Sequence, residues 1–206
     1  MKSILISRSP ERALKILNGE ATLDLCKSIP KNIDKIIEEQ GGIWVYMYVT
    51  KKLPLLAYEI VDYDDSWGNP ATDGGYSIQN HIDDFDQIQG DVLNGKVVAR
   101  WWFDKYEKIN LDEEQPELFC MIEMEKYVKE MCLTQEQICD YIPYGKTAYA
   151  WHISKLEIFD KPMELSNFKN KDVSKYQDEE GNPQFDDYFE LTKAPQSWQY
   201  VWVKEK

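Results

Sequence analysis

The sequence predicts an α+β domain with a curled, mostly antiparallel β-sheet. Strands predominate in its hydrophobic pattern, several of them are long, and helical segments are inserted between them. Of the 206 residues, 43% are hydrophobic and 13% aromatic, which is enough for a sizeable core. We therefore expect a single domain over residues 1–206, with loop insertions near 62–95 and 169–190 and a helical insertion near 116–142.

Hydrophobic periods and turn signals divide the chain into short elements. Period-two segments predict strands over 3–7, 21–27, 43–50, 55–61, 97–109, 146–159 (bent near Ser154) and 199–203. Segments with helical spacing predict helices over 10–18, 30–40, 116–131 and 134–142. Segments rich in Asp, Asn and Gly, or in acidic residues, predict loops over 62–95 and 169–190.

The first helix-to-strand turn is the best defined of these segments. Ser9 can cap the helix, and Pro10 fits its first position, where no backbone N–H is needed. Gly19 supplies the left-handed residue that ends the helix. Beyond the glycine the period is two, so Thr22 and Asp24 share one face of the following strand. A polar face beside a helix end is a place to hold a small polar ligand.

The strand over 43–50 is apolar or aromatic on both sides, which predicts a central strand covered on both faces. In the strand over 97–109, Trp101 and Trp102 are adjacent, so we expect one ring to face the core and the other the helices. Thr134 and Gln137 form a capping box for the last helix. Three aromatic residues are expected to pin the loop over 62–95, namely Trp67, Tyr76 and Phe85.

The net charge of −13 bears on partners rather than on the fold. Nucleic-acid-binding proteins usually carry a basic surface, whereas here acidic residues outnumber basic ones and cluster. The clusters are Asp62, Asp64 and Asp65; Asp83, Asp84 and Asp86; Asp112, Glu113 and Glu114; Asp178, Glu179 and Glu180. No run of eighteen apolar residues and no apolar leader occurs, so we expect a cytoplasmic protein that does not engage membranes.

The four cysteines do not form a metal-binding or redox motif. Cys26, Cys120, Cys132 and Cys139 contain no Cys-x-x-Cys pair, and His81 and His152 are the only histidines. Reduced, mostly buried thiols are expected. No phosphate-binding loop or dinucleotide glycine pattern occurs, so we expect neither a metal nor a cofactor.

The stretch over 18–30 resembles the signature of ASCH domains, a branch of the PUA-like superfamily. That signature is Gly-x-Lys-x-x-Glu-x-Arg at a helix-to-strand turn, and the matching positions here are Gly19, Ala21, Asp24 and Cys26. Further stretches resemble small phage-borne ASCH-like proteins, namely 3–7, 94–99, 149–154, 160–162 and 194–198. The resemblance implies a PUA-like β-barrel with inserted helices, encoded by a phage or another mobile element.

The resemblance also implies nucleotide or RNA binding in a cleft at this turn. One bacterial branch hydrolyses an acetylated cytidine with the signature lysine, a nearby threonine and a distant glutamate. The lysine position is Ala21 and the threonine position is Asp24. The glutamate cannot be placed by the motif, and Glu59 is a hypothesis for it. Because alanine has no ammonium group, we expect no such catalysis.

Residues expected to line the ligand cleft come from the turn, from the Trp-His pair and from the C-terminal strand. They are Arg8, Ser9, Gly19, Thr22, Asp24, Lys27, Trp151, His152 and Trp198. The leading hypothesis is a non-catalytic binding protein for a nucleotide, RNA or a nucleic-acid-handling partner. The alternative is an acidic inhibitor that occupies a basic, nucleic-acid-binding surface of a host protein. An amidohydrolase acting on a modified nucleoside is the third reading, which Ala21 opposes.

Overall fold

A computed structural model describes residues 1–62, 72–79, 90–110, 124–142, 145–170 and 189–203. The first strands are β1 (Lys2–Arg8), β2 (Leu23–Cys26), β3 (Ile43–Val49), β4 (Leu55–Asp62), β5 (Thr72–Gln79) and β6 (Gly90–Val92). They are followed by β7 (Val97–Phe103), β8 (Tyr106–Asn110), β9 (Thr147–His152), β10 (Ser154–Met163), β11 (Phe168–Lys169) and β12 (Trp198–Val203). The helices are α1 (Pro10–Leu17), α2 (Ile33–Gln40), α3 (Met124–Met131) and α4 (Gln135–Tyr141).

The chain divides into two compact units. The first comprises Met1–Leu17, Tyr46–Ala99 and Ile158–Lys206, and the second comprises residues 18–45 and 100–157. Strands β3, β7 and β10 have residues in both units. No helix among the described residues combines the length and the apolar character needed to cross a membrane.

A six-stranded sheet forms the framework of the first unit. Its strand order is β10-β7-β3-β1-β12-β11, so β3 is a central strand, as predicted. Most side chains of β3 are buried on both faces. Strands β1 and β12 pair antiparallel from Lys2–Trp202 to Ile6–Trp198. A second sheet of this unit, in the order β5-β4-β6, is antiparallel throughout.

The side chain of Asn94 holds the connection between β3 and β4 in the first unit. Its Oδ1 accepts from the backbone N–H of Leu56 at 2.7 Å. Its amide group donates to three carbonyl oxygens of the connection, those of Thr50 (3.2 Å), Lys52 (2.8 Å) and Pro54 (3.1 Å). One half-buried amide therefore satisfies several backbone groups of this connection.

A three-stranded antiparallel sheet, β2-β9-β8, forms the framework of the second unit. Helices α3 and α4 cover one of its faces, and the apolar side chains between them form a continuous core. This core contains Leu23, Leu25, Ile109, Met124, Tyr127, Met131, Ile138, Ile142, Ala148 and Ala150. The predicted capping box is present at α4, where Thr134 Oγ1 accepts from the Gln137 N–H and the Gln137 side chain accepts from the Thr134 N–H.

The α+β class and the predominance of antiparallel pairing are confirmed. The described strands form three sheets rather than one closed barrel. The prediction of an irregular segment over 62–95 is wrong for β5 and β6, which pair with β4 despite the glycine turn signals at Gly74 and Gly75. Eight successive backbone pairings with β4 outweigh the weak strand propensity of glycine.

The single strand predicted over 97–109 is two strands, β7 and β8, separated at residues 104–105. They separate because β7 joins the six-stranded sheet whereas β8 pairs with β9. The predicted bend near Ser154 is confirmed as the break between β9 and β10. Several other predictions lie outside the described residues, namely those on Trp67, Phe85, Pro116, Cys120, residues 171–188 and most acid clusters.

Candidate functional site

The register of the β2-β9-β8 sheet decides which predicted site residues face the same way. Directly paired residues of antiparallel strands point to the same side of a sheet. Leu23 pairs with His152, and Glu107 pairs with Ala150, so these side chains lie on the face covered by α3 and α4. Asp24 pairs with Trp151, and both therefore point to the opposite face.

The face that carries Asp24 and Trp151 is closed to solvent at these two residues. Both side chains are completely buried. The Trp151 ring stacks on Phe103 with centroids 4.4 Å apart and planes inclined by 8°. Ala21, at the position of the signature lysine, is also buried. These side chains contribute to packing in the second unit and do not reach an incoming ligand.

Other residues of the same helix-to-strand turn are exposed to solvent. Gly19 is exposed with φ +70°, the left-handed conformation predicted for the end of the helix. Thr22 is exposed, and its carbonyl accepts from the Ile153 N–H at 3.0 Å, which places it beside the last residue of β9, His152. Lys27 lies beyond the other end of β2, with its ammonium 4.8 Å from the centroid of the Tyr141 ring.

The remaining three predicted residues belong to the first unit. Ser9 caps α1 as predicted, because its hydroxyl accepts from the Arg12 N–H at 3.3 Å. Arg8 donates to the carbonyl oxygen of Ser7 at 2.9 Å. Trp198 is half-buried and meets Tyr200 edge to face, with centroids 6.1 Å apart.

Four polar side chains converge at the end of the β2-β9-β8 sheet where β9 ends at His152. They are Glu107, Lys126, Tyr127 and His152, and we call them the Glu107 network. Lys126 Nζ lies 2.7 Å from both carboxylate oxygens of Glu107. The Tyr127 hydroxyl donates to Glu107 Oε2 at 3.1 Å, and His152 Nε2 lies 3.0 Å from Oε1. Strands β8 and β9 supply the carboxylate and the imidazole, and α3 supplies the other two groups.

The network keeps Glu107 ionised. Burial acts to raise the pKa of this carboxyl, but hydrogen bonds from Lys126, His152 and Tyr127 outweigh it and lower the pKa to about 2. An ionised carboxylate only accepts hydrogen bonds, so the proton between Glu107 and His152 lies on Nε2. In the neutral form of the imidazole, Nδ1 is then an acceptor.

The network is partly open to solvent. The exposed fractions of the side chains are 21% for Glu107, 23% for His152 and 47% for Lys126. Glu107 therefore fixes an aromatic ring and an ammonium group side by side at a surface that a small ligand can reach. No group of three metal-ligating side chains occurs within the described ranges.

Sequence reasoning found His152 but missed Glu107, Lys126 and Tyr127. The sequence did contain one signal for Glu107. This residue lies two positions before Ile109, which is buried, so the alternation of the strand places both side chains on the core side. Glu59, the hypothesis for the catalytic glutamate of the resemblance, lies in β4. The partners of Glu107 could not be found because they lie on α3, whose packing the local pattern does not determine.

Comparison with known proteins identifies the fold. No protein-family profile matches the chain, and no curated protein does. Two solved structures of the ASCH protein of Zymomonas mobilis are similar, one with a tyrosine-to-phenylalanine and the other with a serine-to-alanine change. The first has a TM-score of 0.50 at 14% identity, covering 100% of this chain and 92% of that one. The second has 0.50 at 13%, covering 98% and 89%.

Proposed function

We propose that this chain, whose fold is that of ASCH domains, is a non-catalytic cytoplasmic binding domain for a nucleotide or a short RNA segment. The observation that carries the proposal is the Glu107 network, which holds the His152 ring and the Lys126 ammonium together at an accessible surface. An imidazole can stack on a base or accept from its N–H groups, and an ammonium neutralises a phosphate. Thr22 lies at the same end of the sheet.

The proposed domain is non-catalytic for two reasons. Ala21 is buried at the position where the resemblance places a catalytic lysine, so no ammonium activates water there. Glu107, with a pKa of about 2 and three hydrogen-bonding partners, does not carry a proton to donate near neutral pH. We expect no deacetylation of acetylated cytidine above the uncatalysed rate. Turnover by the purified protein well above the uncatalysed rate would overturn this expectation.

The binding test compares two lysines of the same unit. Lys126→Ala and Lys108→Ala each remove one positive charge, but Lys108 neighbours Glu107 on β8 and therefore points to the other face. Titration calorimetry with the common ribonucleoside monophosphates should show several-fold weaker binding for Lys126→Ala and His152→Ala, and unchanged binding for Lys108→Ala. Equal losses in the two lysine variants would mean that only net charge matters, and would contradict the proposed site.

A second candidate function follows from the net charge of −13. An acidic protein can occupy a basic, nucleic-acid-binding surface of a host protein, and the association rate should then fall steeply with salt. Neutralising Asp83, Asp84 and Asp86 together should slow that association without unfolding the chain. A salt-independent association rate with the recovered partner would argue against this function.

A further inference from the structure

Two adjacent tryptophans with a cation at each end form a row in the second unit, which we call the tryptophan ladder. The rings of Trp44 and Trp102 meet edge to face with centroids 5.1 Å apart. The Arg100 guanidinium carbon lies 4.1 Å from the centroid of Trp44, and Lys155 Nζ lies 5.6 Å from the centroid of Trp102. Both rings and Arg100 are partly exposed, and Lys155 is exposed. The neighbouring Trp101 and Phe103, on the other face of β7, are fully buried.

Two glycines fix the position of the Trp102 ring. Its indole N–H donates to the carbonyl oxygen of Gly41, at the end of α2, at 3.0 Å. A Cβ atom on Gly42 would lie 2.6 Å from Trp102 Nε1 and 2.6 Å from the Phe103 carbonyl oxygen. The ring is therefore packed directly on backbone and has little freedom to move. A ring held in this way loses little conformational entropy when a ligand stacks on it.

The backbone at Lys155 is in an unusual conformation. Its φ of +48° lies in the left-handed region, which costs a residue with a side chain about 1 kcal/mol or more. Ser154 precedes it and donates to Asp104 at 3.0 Å, which anchors the start of β10. In this conformation the Lys155 ammonium lies over Trp102. Strain of this kind is concentrated at sites where a side chain has a task beyond packing.

Arg100 is held by a carboxylate as well as by a ring. Its Nε lies 2.6 Å from Glu157 Oε2, and the exposed fractions of the two side chains are 29% and 47%. The ion pair fixes the guanidinium against Trp44. It also places a negative charge beside the ladder, which disfavours an anionic ligand to a degree that can be measured.

We propose that the tryptophan ladder binds single-stranded nucleic acid by base stacking, with Lys155 contacting a phosphate. Aromatic rings and guanidinium planes are the surfaces on which unpaired bases stack. A basic peptide would be repelled by Arg100 and Lys155, and an acidic peptide has no planar bases to use the rings. This site shares no residue with the Glu107 network, so the inference goes beyond the proposed nucleotide site and requires an oligonucleotide.

The test measures fluorescence anisotropy of labelled oligo-U and oligo-dT of about eight nucleotides, a length within the usual site size. Trp44→Leu should weaken binding by about five- to a hundred-fold, the range for loss of one stacked base. The affinity for mononucleotides should not change in this variant, whereas His152→Ala affects mononucleotides. Unchanged oligonucleotide affinity in a folded Trp44→Leu protein would overturn the inference and leave the nucleotide site untouched.

Two further variants separate binding from folding. Lys155→Gly relieves the left-handed strain, so the melting temperature should stay the same or rise. Its oligonucleotide affinity should fall several-fold, and the slope of log affinity against log salt should decrease by about one. Lys129→Ala, on α3, removes the same charge outside the ladder and should have little effect. A fall of the same size in both variants would contradict a phosphate contact at Lys155.

The Glu157→Gln variant tests the inference through a gain in oligonucleotide affinity. Removing the carboxylate beside the ladder should tighten binding to both oligonucleotides, whereas a purely structural ion pair predicts no gain. Equal affinity for oligo-U and oligo-dT is expected from stacking, and tighter binding of oligo-U would identify RNA as the ligand through its 2′-hydroxyl groups. Duplex DNA that binds as tightly as the single strands would overturn the inference, because its bases are not available for stacking.

Discussion

At the scale of single residues, Glu107 links the site to stability. Its pKa is lowered from 4.5 to about 2 in the folded protein, so the ionised form favours folding. This contribution is complete above about pH 5 and is lost as the pH falls through 2. Because the network is partly exposed, solvent screening reduces it to about 1–2 kcal/mol.

Glu107→Gln should therefore lower the free energy of unfolding at pH 7 by that amount, and the difference from wild type should shrink between pH 5 and pH 2. Denaturant titrations at several pH values measure this difference. Glu136→Gln, at an exposed position of α4, is the matched control and should show no comparable pH dependence. A deficit of Glu107→Gln that stays constant down to pH 2 would show that packing, not ionisation, explains the effect.

Residues whose role is local were predictable from the sequence. Ser9, Gly19 and Thr134 act on backbone groups within a few positions, and the structure confirms each of them. Asp24 was misjudged in one respect, because the pattern showed a polar strand face but not that this face is buried. Burial of a strand residue depends on what packs on the sheet, and that information is not local.

At the scale of elements, β12 shows how a terminal strand is held. Its Val201 and Val203 are buried, and the N-terminal amino group of Met1 donates to the Val203 carbonyl oxygen at 2.9 Å. Five register pairs join it to β1, whose side chains Ile4, Leu5 and Ile6 are fully buried. The strand predicted over 199–203 is therefore an integral member of the six-stranded sheet.

A chain ending at Pro195 should melt at a substantially lower temperature than the full chain. Loss of β12 exposes several large apolar side chains, each worth about 1.5–3 kcal/mol when buried. That sum is a large fraction of a typical net stability. A chain ending at Val203 keeps the strand and serves as the control. If the chain ending at Pro195 melts at the same temperature as this control, the assignment of β12 to the sheet is wrong.

Elements whose partners lie far along the sequence were the ones predicted incorrectly. The strand over 97–109 has one continuous hydrophobic pattern, yet β7 and β8 join different sheets. Strand β5 contains Gly74 and Gly75, which predict a turn, and only its pairing with β4 makes it a strand. Periodicity identifies which segments are extended, but the choice of partner strand is a property of the whole fold.

At the scale of the whole molecule, the net charge of −13 opposes compaction through self-repulsion. Raising the ionic strength from about 0.01 M to about 0.15 M shortens the screening length from about 30 Å to about 8 Å. The melting temperature should therefore rise by a few degrees over this range of NaCl, as scanning calorimetry would show. A rise that appears only near molar salt would reflect general salting-out and would contradict the electrostatic explanation.

The hydrogen-bonded side chain of Asn94 has a consequence for chemical ageing. Asn-Gly sequences deamidate when the backbone nitrogen of the glycine attacks the side-chain carbonyl carbon (Cγ) of the asparagine. Here the Gly95 N–H donates to the Val49 carbonyl oxygen at 2.8 Å, and the Asn94 amide is held by four hydrogen bonds. The folded chain should accumulate isoaspartate at this position far more slowly than an unfolded peptide of the same sequence. Once formed, isoaspartate cannot donate to the three carbonyl oxygens. The connection between β3 and β4 should therefore be less stable in each damaged molecule.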